Sequence, residues 1–330
     1  MTAPRPTVSV LIPSFRRPET LRRCLDALTR QTVAPDEVLV VWQGDDAATR
    51  DAAENFSDAL PVRALHRPEP GIVPAENAAL AAATGEVIAL IDDDALAPPD
   101  WLAKHLAFYA DPSVGAVGGP AVNHADGTTL PTRAVEPVGR LTAAGRLHGN
   151  MYDHPATWRE RPPTDVDHLV GYNMSLRRAA FDRFEERLRP YWQLFELDAC
   201  LQVAANGYRV VFDYSNVVDH HPTNTAYVGG RGGDLTVKVY NGAYNRAFVL
   251  SKHTRGWRRG VRRAWTGLVG STAAPGALAA LRCAARDLAP RREWRILRHT
   301  WRAAAEGWAA GRAAGSFDSP ASPRTVRPPS

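Results

Sequence analysis

The sequence is poor in cysteine. Its 330 residues contain three, Cys24, Cys200 and Cys283, which are far apart in the chain and form no CxxC pair. An odd number of scattered cysteines provides no disulfide framework, and no zinc-ligand spacing is present. We therefore expect a protein of a reducing compartment, which favours a cytoplasmic location.

Long apolar runs are also missing. No stretch of about 20 strongly apolar residues occurs. The nearest candidate, residues 266–281, is rich in Gly, Ala and Thr and is interrupted by Pro275. The N-terminus has no basic segment followed by an apolar core. We expect neither a signal peptide nor a membrane-spanning helix, although 45% of the residues are hydrophobic, enough for a sizeable globular core.

Basic residues are scarce relative to acidic ones in most of the chain. Between Ser251 and Arg312 there are 14 Lys and Arg against 3 Asp and Glu, whereas the whole chain carries a net charge of +5. The remainder is therefore net acidic. This distribution argues against a nucleic-acid-binding core and confines the basic character to the C-terminal segment.

Strand-like and helix-like segments alternate in the first two thirds of the chain. The apolar run "VSVLIPS" at 8–14, for example, precedes the amphipathic "PETLRRCLDALTRQ" at 18–31. Repeated βα units predict an α/β fold with a parallel, doubly wound sheet. Strands are predicted at 8–14, 36–43, 62–66, 86–92 and 113–123, helices at 18–31, 74–85, 98–110 and 196–208, and a strand or loop with a helix within 170–184.

Three aspartates follow the apolar run "EVIALI". Asp92, Asp93 and Asp94 stand at the expected carboxyl end of a buried strand, the place where open α/β sheets bind ligands. Taken alone, the triplet is equally compatible with a solvated loop. A divalent cation would relieve the repulsion among the carboxylates, and Mg²⁺ or Mn²⁺ usually binds through one or two carboxylates together with substrate phosphates. A diphosphate-bearing substrate follows from the metal hypothesis.

Two further motifs contain candidate functional groups. In "FELD", Glu196 and Asp198 open a helix, where the helix dipole favours carboxylates but where a general base could also stand. In "DHHP", His220 and His221 follow an apolar strand. A histidine pair beyond a strand end, in a chain with a carboxylate cluster, favours a metal ligand over a purely structural residue.

The order of these motifs resembles that of the family 2 glycosyltransferases. The similarity covers about residues 7–255, and its most recognisable block is "PGIVPAENAALAAATGEVIALIDDDALAPPDWL". "SVLIPSFRRPETLRRCLDAL" resembles the opening strand and helix of the family, and "GYNMSLRRAAF" and "LDACLQVAANGYRVVF" resemble its later segments. The resemblance implies the GT-A fold, which is Rossmann-like with a mainly parallel sheet flanked by helices, here followed by a C-terminal helical segment. The aspartate triplet resembles the DxD motif.

The resemblance also implies roles for individual residues. Asp94 would bind the divalent metal, Mn²⁺ or Mg²⁺, with His220 or His221 completing its shell. Glu196 or Asp198 would be the base that deprotonates the acceptor, and the alignment favours Glu196. Gly171, Asn173 and Met174 would shape the acceptor side of the cleft. The donor-binding residues would be Pro13, Ser14, Phe15 and Arg17 along the base and ribose, Asp92 at the ribose or sugar, and Asn77 and Asp93.

One departure from the family concerns recognition of the nucleotide base of the donor. The second strand usually ends in an aspartate pair, one member of which accepts a hydrogen bond from a pyrimidine. Here the strand ends at Gln43, with Asp45 and Asp46 two residues further on. The carbonyl of Gln43 could accept the same bond, but its amide could also donate one, so the identity of the base stays open.

The resemblance implies inverting transfer of a sugar from a nucleoside-diphosphate sugar to a glycan, lipid-linked or small-molecule acceptor. Two alternatives remain: a metal-dependent phospho- or nucleotidyltransferase, and a catalytically silent sugar-nucleotide-binding module. The first would need a Lys- or Arg-bearing glycine-rich loop after the first strand, which "PSFRRPET" lacks.

Three regions are predicted along the chain: a catalytic domain at 1–222, a basic, Trp-rich helical segment at 223–314 and a disordered tail at 315–330. Five of the nine tryptophans fall between Trp257 and Trp308 among arginines. They would either pack onto the catalytic domain or contact an anionic membrane peripherally at its inner face.

Overall fold

The structure, a computed structural model, falls into two compact units. The first unit contains the described residues up to 222, except 143–145 and 194. The second unit contains these exceptions and the described residues from 235 onward. The described residues are 5–125, 128–129, 136–149, 155–190, 194–222, 235–270, 276–278, 281 and 290–314. The junction predicted at 222/223 adjoins residues 223–234, and these residues and the predicted tail at 315–330 lie outside the described part.

Among the described residues, fourteen strands belong to the first unit. In chain order they are β1 (Val8–Ser14), β2 (Glu37–Gln43), β3 (Val62–Arg67), β4 (Val87–Leu90), β5 (Ala95–Leu96), β6 (Val114–Gly118), β7 (Ala121–Ala125), β8 (Thr128–Thr129), β9 (Arg140–Leu141), β10 (Leu147–His148), β11 (Thr164–Asp165), β12 (Met174–Arg177), β13 (Arg209–Phe212) and β14 (Val218–His220).

Eight helices are described. Five belong to the first unit and three to the second. They are α1 (Pro18–Thr29), α2 (Ala47–Glu54), α3 (Ile72–Ala82), α4 (Trp101–Phe108), α5 (Phe195–Ala205), α6 (Leu235–Lys252), α7 (Trp257–Leu268) and α8 (Pro290–Ala313).

The core of the first unit is an eight-stranded sheet with the order β11-β13-β6-β12-β4-β1-β2-β3. All four residues of β4 are completely buried, as their uninterrupted apolar pattern predicts. The β1, β2, β3 and β4 strands are parallel, as are β6 and β13. The predicted α/β fold with a mainly parallel sheet is thus confirmed. The β12 strand is an exception, because it runs antiparallel between β4 and β6.

Several element boundaries differ from the prediction. The predicted strand at 113–123 is two strands in different sheets, β6 and β7, separated at Gly119 and Pro120. Residues 178–184 form a 3-10 turn and an extended segment instead of a helix. In α5, Leu197 is buried as predicted but Ala204 is exposed.

Gly85 has a different role from the predicted helix end, since α3 already ends at Ala82. A Cβ atom added at Gly85 would lie 2.6 Å from the backbone nitrogen of Ser9. Gly85 therefore permits close approach of the chain to β1, where any side chain would collide with backbone.

A second sheet, with the order β5-β14-β7-β8, extends beyond the carboxyl end of β4. Its register pairs His220 of β14 with Ala95 of β5 on one side and with Asn123 of β7 on the other. Since Ala95 directly follows the aspartate triplet, this pairing brings the histidine motif to the triplet across more than a hundred residues of sequence.

The second unit is helical, and α6 packs closely against α8. Gly307 and Gly311, one turn apart on α8, face backbone carbonyls of α6. A Cβ atom on either glycine would lie 2.3 Å from the oxygen of Tyr244 or Phe248, respectively. Small residues at this spacing therefore allow the two helix backbones to approach. Within the described ranges, we find no helix that combines the length and apolarity needed to cross a membrane.

The tryptophans of the second unit are not all used for packing. Trp308 is buried, and packing of the tryptophans onto the catalytic domain stays a prediction. Trp257 and Trp301 are 74% and 45% exposed. Packing therefore accounts for only part of the tryptophan enrichment.

Candidate functional site

The aspartate triplet lies beside the end of β1. Parallel pairing of Leu11 with Leu90 aligns the strands, so that the residues after β1 face the triplet. The hydroxyl of Ser14 donates to Asp93 Oδ2 at 2.6 Å. Nη1 of Arg17 lies 2.9 Å from Asp93 Oδ1 and 3.1 Å from Asp94 Oδ2. The first-strand motif and the triplet thus form one polar cluster.

The three aspartates of the triplet are not equivalent. The side chain of Asp92 is 34% exposed, whereas Asp93 and Asp94 are buried. Burial raises the pKa of Asp93, and the positive charge of Arg17 opposes that rise. Asp93 is thus turned inward onto Ser14 and Arg17, and its predicted contact with the donor stays a prediction.

His220 reaches the triplet through the β5–β14 pairing. Its Nε2 lies 3.2 Å from Asp94 Oδ1 and 3.8 Å from Asp92 Oδ2. One ligand atom from each of Asp92, Asp94 and His220 lies within 4.8 Å of the others, a group that could hold a metal ion. His221 is not in this group: its ring stacks on His124 at 4.6 Å, and only its backbone N–H reaches the oxygen of Asp94.

The surroundings of His220 fit a cation. Its Nδ1 lies 2.7 Å from Asn123 Oδ1, which orients the ring with the proton on Nδ1, and its ring stacks on Tyr172 at 5.0 Å. The buried Nε2 has no hydrogen-bond partner among the described residues. Its lone pair then faces two carboxylates, an arrangement that a bound cation would stabilise and that metal-binding histidines typically show.

Glu196 occupies the first turn of α5, next to Gly171. The backbone N–H of Gly171 donates to Glu196 Oε1 at 3.4 Å. Burial raises the pKa of Glu196 to about 7, backbone hydrogen bonds lower it, and the negative charge of Asp92 raises it further. This carboxyl group therefore exchanges protons near neutral pH and lies within electrostatic reach of the triplet.

Asp198, the alternative candidate base, is differently placed. It is completely buried, and its Oδ2 accepts a hydrogen bond from Nε2 of Gln202 at 2.7 Å. Two residues along a helix turn a side chain by about 200°, which carries Asp198 to the core side of α5. The structure brings Glu196, but not Asp198, beside Gly171.

Two residues predicted at the acceptor side are internal. Asn173 and Met174 are fully buried. Asn173 accepts from Nε1 of Trp101 at 2.8 Å and donates to the oxygens of Pro120 and Asn216. Gly171 is buried as well, so contact with an acceptor stays a prediction for all three residues.

The predicted donor-binding residues divide into two groups. Pro13 and Phe15 are partly exposed at the end of β1. Gln43 is buried, and both ends of its amide are engaged: Nε2 donates to the oxygen of Ser14, and Oε1 accepts from the N–H of Gly71 at 2.7 Å. Base recognition by Gln43 stays a prediction that requires exchange of one of these bonds.

Asn77 links α3 to a later segment. Its Oδ1 accepts from the N–H of Phe184, and its Nδ2 donates to the oxygen of Phe184 at 2.9 Å and to Glu186 Oε1 at 2.7 Å. These bonds engage both ends of the amide, and the contact of Asn77 with the donor stays a prediction.

Sequence reasoning missed three residues of this site: Asn123, Tyr172 and Glu76. Asn123 and Tyr172 contact His220 only because strand register and a 3-10 turn bring them there. Glu76 stands in the recognisable block beside Asn77 and is 2% exposed. An acidic residue on the buried face of an otherwise apolar helix was the signal available for Glu76.

Comparison with proteins of known sequence identifies relatives for part of the chain. It is 32% identical over 124 residues to the glycosyltransferase AglE of Haloferax volcanii. The aligned region covers 36% of this chain and 40% of AglE. It is 33% identical over 116 residues to a validoxylamine A glucosyltransferase of Streptomyces hygroscopicus subsp. limoneus. This aligned region covers 34% of this chain and 26% of that protein. The chain thus matches well under two thirds of the length of either relative.

Comparison with solved structures covers nearly the whole chain. The mannosyltransferase PcManGT from Pyrobaculum calidifontis, in complex with GDP-Man and Mn²⁺, superposes with a TM-score of 0.58 at 22% identity, over 93% of this chain and 88% of that one. S. aureus TarS 1–349 in complex with UDP-GlcNAc gives a TM-score of 0.58 at 12% identity, over 94% and 92%. These likenesses confirm the predicted GT-A fold.

The sequence model of the glycosyl transferase family 2 matches residues 9–184. This range is more than half of the 330 residues and contains the triplet, Gly171 and the β1 motif. The chain therefore belongs to glycosyl transferase family 2, as the order of its motifs predicts.

Proposed function

We propose that the chain transfers a glycosyl group from a nucleoside-diphosphate sugar to an acceptor hydroxyl, with inversion at the anomeric carbon and with the help of Mn²⁺ or Mg²⁺. The observation that carries the proposal is the group formed by Asp92, Asp94 and His220, with Glu196 within electrostatic reach of Asp92. Family membership and the nucleotide sugars bound by PcManGT and TarS favour the same donor class.

Asp92, Asp94 and His220 are the residues that would hold the cation. When bound there, a divalent cation supplies positive charge against the negative charge that develops on the diphosphate leaving group. Asn123 and Tyr172 keep the imidazole of His220 in place for this role.

Arg17 would contribute a second positive charge on the donor side. Arg17 directly precedes α1, and its guanidinium contacts Asp94. Guanidinium groups form strong bidentate hydrogen bonds with phosphate oxygens, so Arg17 would bind the diphosphate while Pro13, Ser14 and Phe15 line the nucleoside. Asp93 would hold Arg17 in position.

Glu196 would act as the general base. With a pKa of about 7, Glu196 is deprotonated in a substantial fraction of the molecules near neutral pH. In that form it can accept the proton of an acceptor hydroxyl. The oxygen of that hydroxyl then attacks the anomeric carbon from the face opposite the departing diphosphate, which inverts the configuration. Asp198 would stabilise α5 through Gln202 instead.

The acceptor would be a glycan, a lipid-linked sugar or a small molecule, and the exposed face of α7 favours a membrane-associated one. Trp257, Val261 and Leu268 are exposed on α7, which also carries Arg258 and Arg263. Apolar side chains flanked by arginines fit an anionic membrane surface. We extend the proposal to peripheral contact at the cytoplasmic face.

Co-sedimentation tests the membrane contact. At low salt the protein should pellet with vesicles containing phosphatidylglycerol but not with phosphatidylcholine vesicles, and Trp257→Ser with Arg258→Ser should weaken the binding. Equal recovery of wild type and variant in the supernatant contradicts the membrane contact and leaves the proposed reaction intact.

Donor binding is tested by calorimetric titration with UDP, dTDP and GDP, each with Mn²⁺, with Mg²⁺ and with chelator. We expect one nucleotide to bind only with a cation, and Asp94→Ala to abolish that binding. Asp26→Ala, which removes an exposed aspartate paired with Arg30 on α1, is the matched control. Absence of binding to every nucleotide contradicts the proposal.

Product analysis separates the reaction from its alternatives. The transferase releases a nucleoside diphosphate, and proton NMR of the glycoside formed from an α-linked donor shows a β linkage. Pyrophosphate or a phosphorylated acceptor would indicate a phospho- or nucleotidyltransferase. Cation-dependent binding without turnover of any donor in a broad acceptor panel would favour the silent binding module.

A further inference from the structure

Glu76 is a buried acidic residue that none of the proposed steps uses. It lies on α3, is 2% exposed, and its Oε2 has no hydrogen-bond partner within the described part of the chain. A buried carboxyl group without a partner destabilises a fold, because its lost hydration is not replaced. Such a group requires an explanation, and a ligand that binds in the working complex is one.

Contacts of the residue next to Glu76 connect α3 with the start of α5. Its neighbour Asn77 is hydrogen-bonded to the backbone of Phe184, whose ring packs on Phe195 at 5.5 Å. Phe195 directly precedes Glu196, so this chain of contacts joins α3 to the start of α5. Glu76 and Glu196 are therefore next to the two residues that connect their helices.

The electrostatics agree with this placement. Burial raises the pKa of Glu76 well above its usual range, and the negative charges of Asp92 and Glu196 raise it further. One charge affects the pKa of another group in this way when the two groups lie close together or when little water screens them. Glu76 thus lies within electrostatic reach of Asp92 and of the proposed base, Glu196.

The space between a diphosphate-binding group and a general base is occupied by one part of the donor. In the proposed reaction the anomeric carbon is joined to the diphosphate and is attacked by the acceptor held at Glu196. The transferred sugar therefore lies between them, and its hydroxyl groups are the polar atoms that a buried carboxyl group there can meet.

We propose that Glu76 is a donor-specificity residue whose carboxyl group forms a hydrogen bond with a hydroxyl of the transferred sugar. This inference rests on the proposed function and deepens it. It also restricts the donor, because a uronic acid would bring a further carboxylate towards Asp92 and Glu196, whereas a neutral hexose would not.

Two substitutions test the role without confusing it with folding. Glu76→Met replaces the carboxyl group with an apolar side chain of similar length, and Glu76→Gln keeps hydrogen-bonding atoms. If Glu76 serves a ligand, Glu76→Met will not lower the midpoint of thermal unfolding of the free protein, because removal of an unpaired buried carboxyl group relieves a cost. Glu54→Met, at an exposed glutamate on α2, is the matched control.

Binding and kinetics provide the decisive comparison. With Mn²⁺, UDP or GDP should bind wild type and Glu76→Met within about twofold, whereas the preferred donor among UDP-glucose, UDP-GlcNAc and GDP-mannose should lose at least about tenfold in kcat/KM. Glu76→Gln should recover most of this loss. UDP-glucuronate should be a poor donor for wild type.

Four results would overturn the inference, and a fifth would refute the proposed function. Glu76→Met could unfold at a lower temperature and lose nucleotide and donor binding together, which indicates a structural role. It could use the preferred donor as wild type does, or wild type could prefer the uronic acid. If wild type binds nucleotide but none of these donors, Glu76 has no sugar to recognise and the inference fails with the transfer reaction. If wild type binds no nucleotide, the proposed function itself is refuted.

Discussion

Removal of the hydrogen-bond acceptor of Asn123 tests whether the candidate cation site is built as the structure indicates. Asn123 Oδ1 lies 2.7 Å from Nδ1 of His220, and Nε2 of the same ring lies 3.2 Å from Asp94 Oδ1. In Asn123→Ala, Nδ1 loses its acceptor, and the proton is expected to move to Nε2. There it would donate to Asp94 and compete with a cation.

The expected loss follows from the role of such outer partners. Removal of the hydrogen-bond partner of a metal-binding histidine typically costs about 10–100-fold in metal affinity. Since tenfold corresponds to about 1.4 kcal/mol, we expect Asn123→Ala to weaken Mn²⁺ binding by about 1.4–2.8 kcal/mol. Asn123→Asp keeps an oxygen acceptor and should bind Mn²⁺ at least as well as wild type.

The assay is calorimetric or electron paramagnetic resonance titration of Mn²⁺ at a fixed, saturating concentration of the nucleotide that wild type binds. Thermal unfolding of each variant without Mn²⁺ checks that the fold is intact. Wild-type Mn²⁺ affinity in a folded Asn123→Ala variant would refute the reasoning, because the orientation of His220 would then not depend on its Nδ1 partner.

Three other outcomes can be measured directly. His220→Ala should lose Mn²⁺ binding while His221→Ala keeps it within a few fold, since only His220 belongs to the ligand group; the reverse result in the same titration would exchange their roles. Glu196→Gln should keep cation-dependent nucleotide binding but slow transfer by about 10²–10⁴-fold, and unchanged turnover in this variant would exclude Glu196 as the base. In the wild type, kcat/KM should rise as pH increases through about 7, because the base must be deprotonated. Gly119→Ala should destabilise the protein by about 1–3 kcal/mol in urea unfolding, because its Cβ would lie 2.1 Å from the oxygen of Asn216; unaltered stability would mean that the backbone there yields freely.

Much of the fold is readable from the sequence because local patterns are sufficient. The uninterrupted apolar run before Asp92 predicts a strand buried on both faces, and β4 is such a strand. The amphipathic repeat after Pro18 predicts α1. By contrast, the break between β6 and β7 and the antiparallel course of β12 depend on which strands pair, and pairing partners leave no local periodicity.

The candidate site shows the same division. The carboxylates of the triplet and the histidine motif are recognisable because cation binding requires these residue types after strand ends. His220 and His221 are adjacent and chemically identical, so the sequence could not choose between them. Register does: within β14 only His220 pairs with Ala95 and Asn123, whereas the ring of His221 turns to His124.

Glu196 and Asp198 illustrate why tertiary structure decides the remaining roles. The sequence by itself determined that an acidic helix start follows the triplet in the order typical of the family, and that an α/β fold would position both. Which carboxylate reaches the site depends on the side of α5 that packs against the core, and the structure turns Asp198 inward and leaves Glu196 beside Gly171. Chemical type is a property of each residue, but proximity, burial and the pKa shifts they cause arise only when distant segments pack together.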